Sequence, residues 1–179
     1  MDIASMVVAF ANNISGVAWK LLWSLAALVG LLYSGSSIAR MARGSAHPYG
    51  RHQVNGTSTV AALVIGSCLV NLSKVIGKAW NSLHPSVVTY GPISYGGATA
   101  TFGKLAPAIN AVLTLASIAG GYFAFKGFIL WKRAYSDGQS SMGGEDHVWR
   151  AFTHIIFGAC LVQIPVMIDA FRESLGLMW

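Results

Sequence analysis

Four stretches of this chain stay apolar for longer than a soluble amphipathic helix requires. They cover about 18–39, 57–77, 105–131 and 151–171. Their apolar positions continue around the helix instead of keeping to one stripe, the pattern of a helix with lipid or protein on every side. A hydrocarbon core takes roughly 20 such residues. The pattern therefore predicts an all-α membrane protein with four transmembrane helices. Residues 1–17 are less apolar and are broken by Asn12, Asn13, Ser15 and Gly16, so a short interfacial helix is expected to lead into the first span.

The segments between the runs differ in kind. The first connector, 40–56, carries Arg40, Arg43 and Arg51 and no acid. The second, 132–150, sets Lys132, Arg133 and Arg150 against Asp137, Glu145 and Asp146. The middle segment, 78–104, holds Pro85, Pro92 and four glycines among β-prone residues. It reads as an exposed Gly/Pro-rich loop with a small β-hairpin turning at Gly91-Pro92. The tail ends in Met178 and Trp179, and Trp suits a membrane interface.

The pattern also repeats. LAALVGLLY from Leu25 is echoed by LASIAGGYF from Leu115, an offset of 90. GSCLVN from Gly66 is echoed by GACLVQ from Gly158, and NSL from Asn81 by ESL from Glu173, both at an offset of 92. Self-similarity at a fixed spacing marks a duplicated structural unit. Each copy is an apolar run, a polar connector and a second apolar run, so two tandem helical hairpins are expected. The chain divides into a first hairpin with its N-terminal segment (1–83), a central exposed loop (84–104) and a second hairpin (105–179). With four spans both connectors face the same side. The basic excess of the first makes that side cytoplasmic, with the termini and middle loop opposite, although Lys20, Lys74, Lys78 and Lys104 lie towards that opposite face. Repeats of the same orientation imply a pseudo-axis along the membrane normal, which suits packing or polymerisation better than the alternating access of inverted repeats.

Composition agrees with a bilayer as solvent. The 179 residues are 54% hydrophobic and 10% charged, where a soluble domain has roughly 25% charged residues. The net charge of +6 would suggest nucleic acid in a soluble protein. In a membrane protein it sets orientation and attracts anionic lipid. Cys68 and Cys160 lie inside apolar runs at equivalent repeat positions and read as small buried hydrophobes. With Asp2 and no basic n-region, the start does not resemble a secretory signal.

Candidate chemistry is sparse. Small residues recur every fourth position: Gly30 and Ser34; Ser58, Ala62 and Gly66; Ala116, Gly120 and Ala124. Lipid supplies no hydrophobic push between helices, so close backbone approach must drive their association. Gly30, Gly66, Gly120 and Gly158 are the expected helix-packing positions. Asn71 and Gln163 occupy matching places and could bond across helices, while Lys126 can snorkel to headgroups. Asp169 lies at the level of Lys74 and Lys78, either in a charge pair with them or exposed at the interface. His47, His52, His84, His147 and His154 have no ligand spacing with a third donor, so no metal site is expected. Without a phosphate-cradling loop, nucleophile elbow or carboxylate pair, neither an enzyme nor a bound cofactor is expected. The candidate surface is basic: Arg40, Arg43, Arg51, Lys132 and Arg133. It is either the ordinary orientation signal or a surface for lipid headgroups, nucleic acid or protein. Arg suits phosphate through its planar fork.

Two apolar helices, a short basic connector and a Gly in the second helix resemble the hairpin of conjugative pilins. The tandem pattern resembles the IcmC/DotE and TraQ family of type IVB (Dot/Icm and IncI-type conjugation) machinery. LASIAGGYFAFKGFILWK at 115–132 and HIIFGACLVQIPVMIDAF at 154–171 carry the resemblance, with 20–83 joined through the repeat. The resemblance implies a bacterial inner-membrane protein serving conjugation or effector delivery. It would be a structural subunit that assembles with copies of itself and anionic phospholipid into a pilus or channel. Other secretion-system membrane proteins would be its partners, and nucleic acid or protein would pass through the assembly. It further implies that Arg40, Arg43 and Arg51 face a lumen or headgroups, with Lys132 and Arg133 beside them. The chain departs from a typical pilin in its length and in the acids of its second connector. An inner-membrane accessory component and a small channel or transporter are the alternative expectations.

Overall fold

The computed structural model describes residues 3–46, 56–136 and 144–176. Within these the chain is helical, without strands. The helices are α1 (Ile3–Ala46), α2 (Gly56–Val70), α3 (Leu72–Leu83), α4 (Gly96–Phe102), α5 (Ala106–Ser136), α6 (Gly144–Val162) and α7 (Ile164–Ser174), with a single 3-10 turn, Gly103–Leu105, leading into α5. Residues 3–17 form no separate interfacial helix. From Ile3 they belong to α1, a continuous helix of 44 residues. Asn12, Asn13 and Gly16 are exposed on it and Ser15 is buried, and none of them breaks the helical bond ladder.

Two segments, Ile3–Arg43 and Gly103–Tyr135, are long and apolar enough to cross a membrane. The other two apolar runs bend. Ser58–Val70 meets Leu72–Leu83 at 91°, and His147–Val162 meets Ile164–Ser174 at 88°. If each bent pair is one span, the chain has up to four.

The bends fall at equivalent residues. Asn71 (φ −107°, ψ 32°) and Gln163 (φ −108°, ψ 38°) lie 92 positions apart and share one backbone conformation. The second bend follows from Pro165, which has no N–H to give to the carbonyl four residues back. The first has Ser73 at that position. There the Asn71 side chain competes for the same bonds, its Nδ2 donating to the Ser67 carbonyl at 3.3 Å. The Tyr90 hydroxyl donates to the Ser73 carbonyl at 2.6 Å and holds the new helix start.

Each long helix packs antiparallel on the helix that follows, α1 on α2 and α5 on α6. The packing is backbone on backbone. A Cβ added to Gly30 would lie 2.6 Å from the Gly66 carbonyl oxygen, and one on Gly66 would lie 2.8 Å from that of Gly30 and collide with the Ser34 hydroxyl. In the second pair, a Cβ on Gly120 would lie 2.8 Å from the Gly158 oxygen, and one on Gly158 2.7 Å from the Gly120 oxygen. The two crossings are repeat equivalents. One apolar core joins both pairs, with Trp19, Ala26, Ile65 and Leu69 from the first and Ala124, Phe125, Phe128 and Val162 from the second.

The central segment is not a β-hairpin. After Leu83 the chain is extended, passes Gly91 at φ 144°, and re-enters helix at Gly96. Its polar backbone is anchored by side chains of α5, since Ile93 N–H donates to Thr114 Oγ1 at 2.9 Å and Tyr95 N–H to Asn110 Oδ1 at 3.1 Å. These bonds replace the ladder a hairpin would have supplied.

Leu placed at Gly120 or Gly158 has to separate two backbones. Each variant should lose at least about 1–3 kcal/mol of stability, read as a lowered thermal midpoint in mild detergent. Gly16→Ala adds its Cβ to open space and should leave the midpoint at or above that of the parent. Parental midpoints for both Leu variants would show that the crossings are looser than described.

Candidate functional site

Arg40 and Arg43 are exposed on the last turns of α1, where positive charge complements the carbonyl end of the helix dipole. Arg133 is exposed in the last turn of α5. Lys132 is half-buried and folds back, its Nζ 4.8 Å from the centroid of the Tyr33 ring on α1. Such a cation–π contact contributes about 0.5–1 kcal/mol near the surface. Arg51 lies outside the described residues. The ends of α1 and α5 and the start of α2 thus point the same way, but their charges are not level. Tyr33 precedes Arg40 by seven residues, about 10 Å of helix, so Lys132 is set back towards the core from Arg40 and Arg43.

Between α2 and α5 at this end runs an apolar groove of about 500 Å³, lined by Gly56, Val60, Val64, Ile65, Trp131 and Tyr135. Two further contacts fix the level of the helices here and deeper in. Ser37 Oγ donates to the Thr59 carbonyl at 3.1 Å in the first pair, and Ser117 Oγ donates to the Val162 carbonyl at 3.0 Å in the second. The repeat equivalents of Ser37 and Thr59 are Gly127 and Ala151, and there the backbones meet directly: a Cβ on Gly127 would lie 2.9 Å from the Ala151 oxygen.

The opposite end holds a polar cluster that sequence reasoning missed. The buried Tyr95 hydroxyl donates to Asp169 Oδ1 at 2.9 Å and accepts from Arg172 Nη1 at 2.9 Å. Arg172 lies 3.9 Å from Asp169. Among the described residues the ion partner of Asp169 is therefore Arg172, three residues along its own helix, and not Lys74 or Lys78, which project from the exposed face of α3. Asp169, expected either to pair with those lysines or to stand exposed at the interface, has 61% of its side chain exposed. An Asp–Arg spacing of three on a helix was the available signal; nothing in the spacing pointed to Tyr95.

The matched polar residues bond to other partners than a facing helix: Asn71 Nδ2 donates to the Ser67 carbonyl one turn back, and Gln163 Nε2 donates to the Thr89 carbonyl of the central segment at 3.4 Å. Nearby, Trp19, Trp23 and Tyr90 form a three-ring cluster with each centroid pair 5.1 Å apart. Burial pushes the Tyr90 phenol up to about 12. Cys68 and Cys160 are half-buried free thiols. Among the described residues no group of three His, Cys, Asp or Glu side chains could hold a metal ion.

No protein-family model, curated protein or solved structure matches this chain. The physical features of the site therefore carry the argument. They are a connector end with exposed arginines, an opposite end closed by hydrogen bonds, and long apolar helix faces between them. Leu21, Leu28, Leu31 and Leu32 are among the exposed residues of α1. Faces of this kind exclude free water and accept lipid or another apolar helix.

Tyr95→Phe removes a hydroxyl whose partners, Asp169 at 61% and Arg172 at 28% exposure, keep access to water. It should lower stability by about 0.5–1.5 kcal/mol, measured by thermal unfolding, with a smaller loss for Asp169→Asn. An unchanged midpoint in Tyr95→Phe would mean the cluster contributes nothing.

Tyr90 gives a pH signature. Its folded value of about 12 exceeds the ordinary 10.0, so its contribution is complete below pH 10. As pH rises towards 12 the unfolded chain ionises first and stability falls. Tyr90→Phe should lose that alkaline component when thermal midpoints are compared from pH 9 to 12. Identical alkaline slopes in the two proteins would contradict the assignment.

Proposed function

We propose that this chain is a structural subunit of a bacterial type IVB conjugative transfer or secretion apparatus. It acts as a pilin-like unit of two tandem helical hairpins. In this reading each bent helix pair is one span, the protein enters the inner membrane with its arginine-bearing connectors cytoplasmic, and it assembles with further copies and anionic phospholipid into a pilus or membrane channel. One observation supports it above the others: the same glycine crossing occurs twice, Gly30 on Gly66 and Gly120 on Gly158. A hairpin held by backbone contact keeps its bulky side chains outside, where they are free to meet neighbours. Half or more of the surface of Leu21, Leu28, Leu31 and Leu32 remains outward.

The basic end supplies the second half of the reading. Arg40 and Arg43 lie one turn apart and exposed, with Arg133 also exposed at the end of α5. A guanidinium fork binds two phosphate oxygens. Gathered in an assembly, such residues require counter-charge, and phospholipid headgroups provide it at this depth.

Arg40→Glu with Arg43→Glu should reduce transfer of DNA or protein by about tenfold or more, the effect of losing one or two charge-assisted contacts. The amount of protein in the membrane fraction should stay at the parental level, and anionic phospholipid should co-purify with the parent. Normal transfer by the double variant would reject the basic surface as functional. A strain deleted for this chain that transfers normally would reject the reading as a whole.

A further inference from the structure

The two antiparallel pairs are not side by side at the same level. Gly121 of α5 touches Leu22 and Trp19 of α1, and Lys132 lies over Tyr33. These contacts join residues 99–102 positions apart, whereas the repeat offset along these helices is 90. The second pair is therefore parallel to the first but displaced by about 9–12 residues, roughly 14–18 Å along the axis. A parallel relation with an axial step does not close on itself. Repeated between chains, it generates an open helical array.

Such an operator needs two free faces, and the repeat says which. Leu22 of the first pair packs against the second, and Val60 and Val64, 60% and 51% exposed, line the open groove between the pairs. The equivalents of these residues in the second pair are Val112, Phe152 and Ile156. All three are exposed, Val112 at 56% and Ile156 at 41%. The face by which the second pair meets the first includes Gly121, Phe128 and Trp131. Its equivalents in the first pair are Leu31, Ile38 and Met41, again all exposed, with Leu31 at 65% and Met41 at 51%. Each end of the internal interface thus has an apolar counterpart on the outside of the molecule. Leu31 in place of Gly121 makes the approach between chains wider than the one inside.

We infer that the Val112–Phe152–Ile156 face of one chain receives the Leu31–Ile38–Met41 face of a second copy, repeating between chains the staggered relation that joins the two halves within one. The occupant is a second copy because the chain already packs these two kinds of face against each other inside itself. The inference rests on the reading above that the chain is a self-assembling subunit, and it assigns that assembly its polarity and its contact surfaces. The contact is head-to-tail, so every added subunit exposes a fresh copy of the receiving face.

Translation of the internal contacts gives the residues that meet. Leu22 on Gly121 becomes Val112 on Leu31, and Val64 beside Trp131 becomes Ile156 beside Met41. Within one chain each of these pairs is separated by about 18 residues of helix axis, roughly 27 Å, so neither can form an intramolecular disulfide. In protein carrying Cys68→Ala and Cys160→Ala, the double variants Leu31→Cys/Val112→Cys and Met41→Cys/Ile156→Cys are oxidised in mild-detergent extracts and in material sheared from the cell surface, since two axial steps per chain equal about one hydrocarbon thickness of roughly 30 Å, and are resolved on non-reducing gels. Both should give a ladder of dimer, trimer and higher species, and each single-cysteine variant should remain monomeric. Dimers from a single-cysteine variant, with no ladder from either double, would establish a two-fold contact and overturn the staggered operator while leaving self-assembly intact. Monomer in both doubles, in cells whose transfer still depends on the chain, would overturn the inference but not the proposed function. A ladder in cells whose transfer does not need the chain would support the inference and sink that function.

Discussion

The fold depends on backbone touching backbone where its long helices cross. Where Gly30 meets Gly66 and Gly120 meets Gly158, no side chain separates the helices, and carbonyl oxygens stand where a Cβ would have to be. In an apolar solvent this is the contact that can hold helices together, because Leu against Leu is no better than Leu against lipid. Spending the small residues on these crossings leaves the large ones for two other purposes. Some, such as Ile65, Leu69, Phe125 and Phe128, join the pairs into one core. Many of the others face outward.

Everything that follows the crossings is constrained by hydrogen bonding. A sharp bend in a buried helix frees carbonyls and N–H groups that must find partners. Here the partners are local and tertiary: Ser117 on the Val162 carbonyl, Tyr90 on that of Ser73, and Gln163 on that of Thr89. The bends turn α3 and α7 across the bundle and bring the central segment against α5. Tyr95 then closes that end by bonding both Asp169 and Arg172. The opposite end has no such closure among its described residues and presents arginines instead. One end is fixed by hydrogen bonds and the other carries exposed positive charge.

The repeat is retained at the two glycine crossings and loosens away from them. The glycines of both crossings are retained, as is the conformation at Asn71 and Gln163. Elsewhere the copies diverge: Ser37 and Thr59 bond where Gly127 and Ala151 touch, and Gly121 corresponds to Leu31. The two helix pairs are similar, and their axial displacement gives the molecule a direction. Two equal units at one level would present a symmetric object, whereas a staggered pair has distinct leading and trailing faces.

Hydrophobic length and repetition in the sequence determined that the chain is helical, that it carries segments long enough for a membrane, and that Gly30, Gly66, Gly120 and Gly158 are packing positions. Those properties are local: helix periodicity, apolar run length and the absence of a Cβ act wherever the residues sit. The tertiary structure decided the rest. It merged residues 3–17 into α1, which runs unbroken through the weak helix formers Asn12, Asn13 and Gly16 and buries Ala11. It bent two apolar runs by about a right angle. It gave Asp169 to Tyr95 and Arg172 instead of the lysines of α3. It replaced a β-hairpin with a strap held by Thr114 and Asn110. It also set the stagger between the halves. The bend at Pro165 and the Asp169–Arg172 spacing are local, but the contacts of Tyr95 and the anchors of the strap join residues 15 to 77 positions apart, and pairings of that range leave no periodicity for the sequence to display.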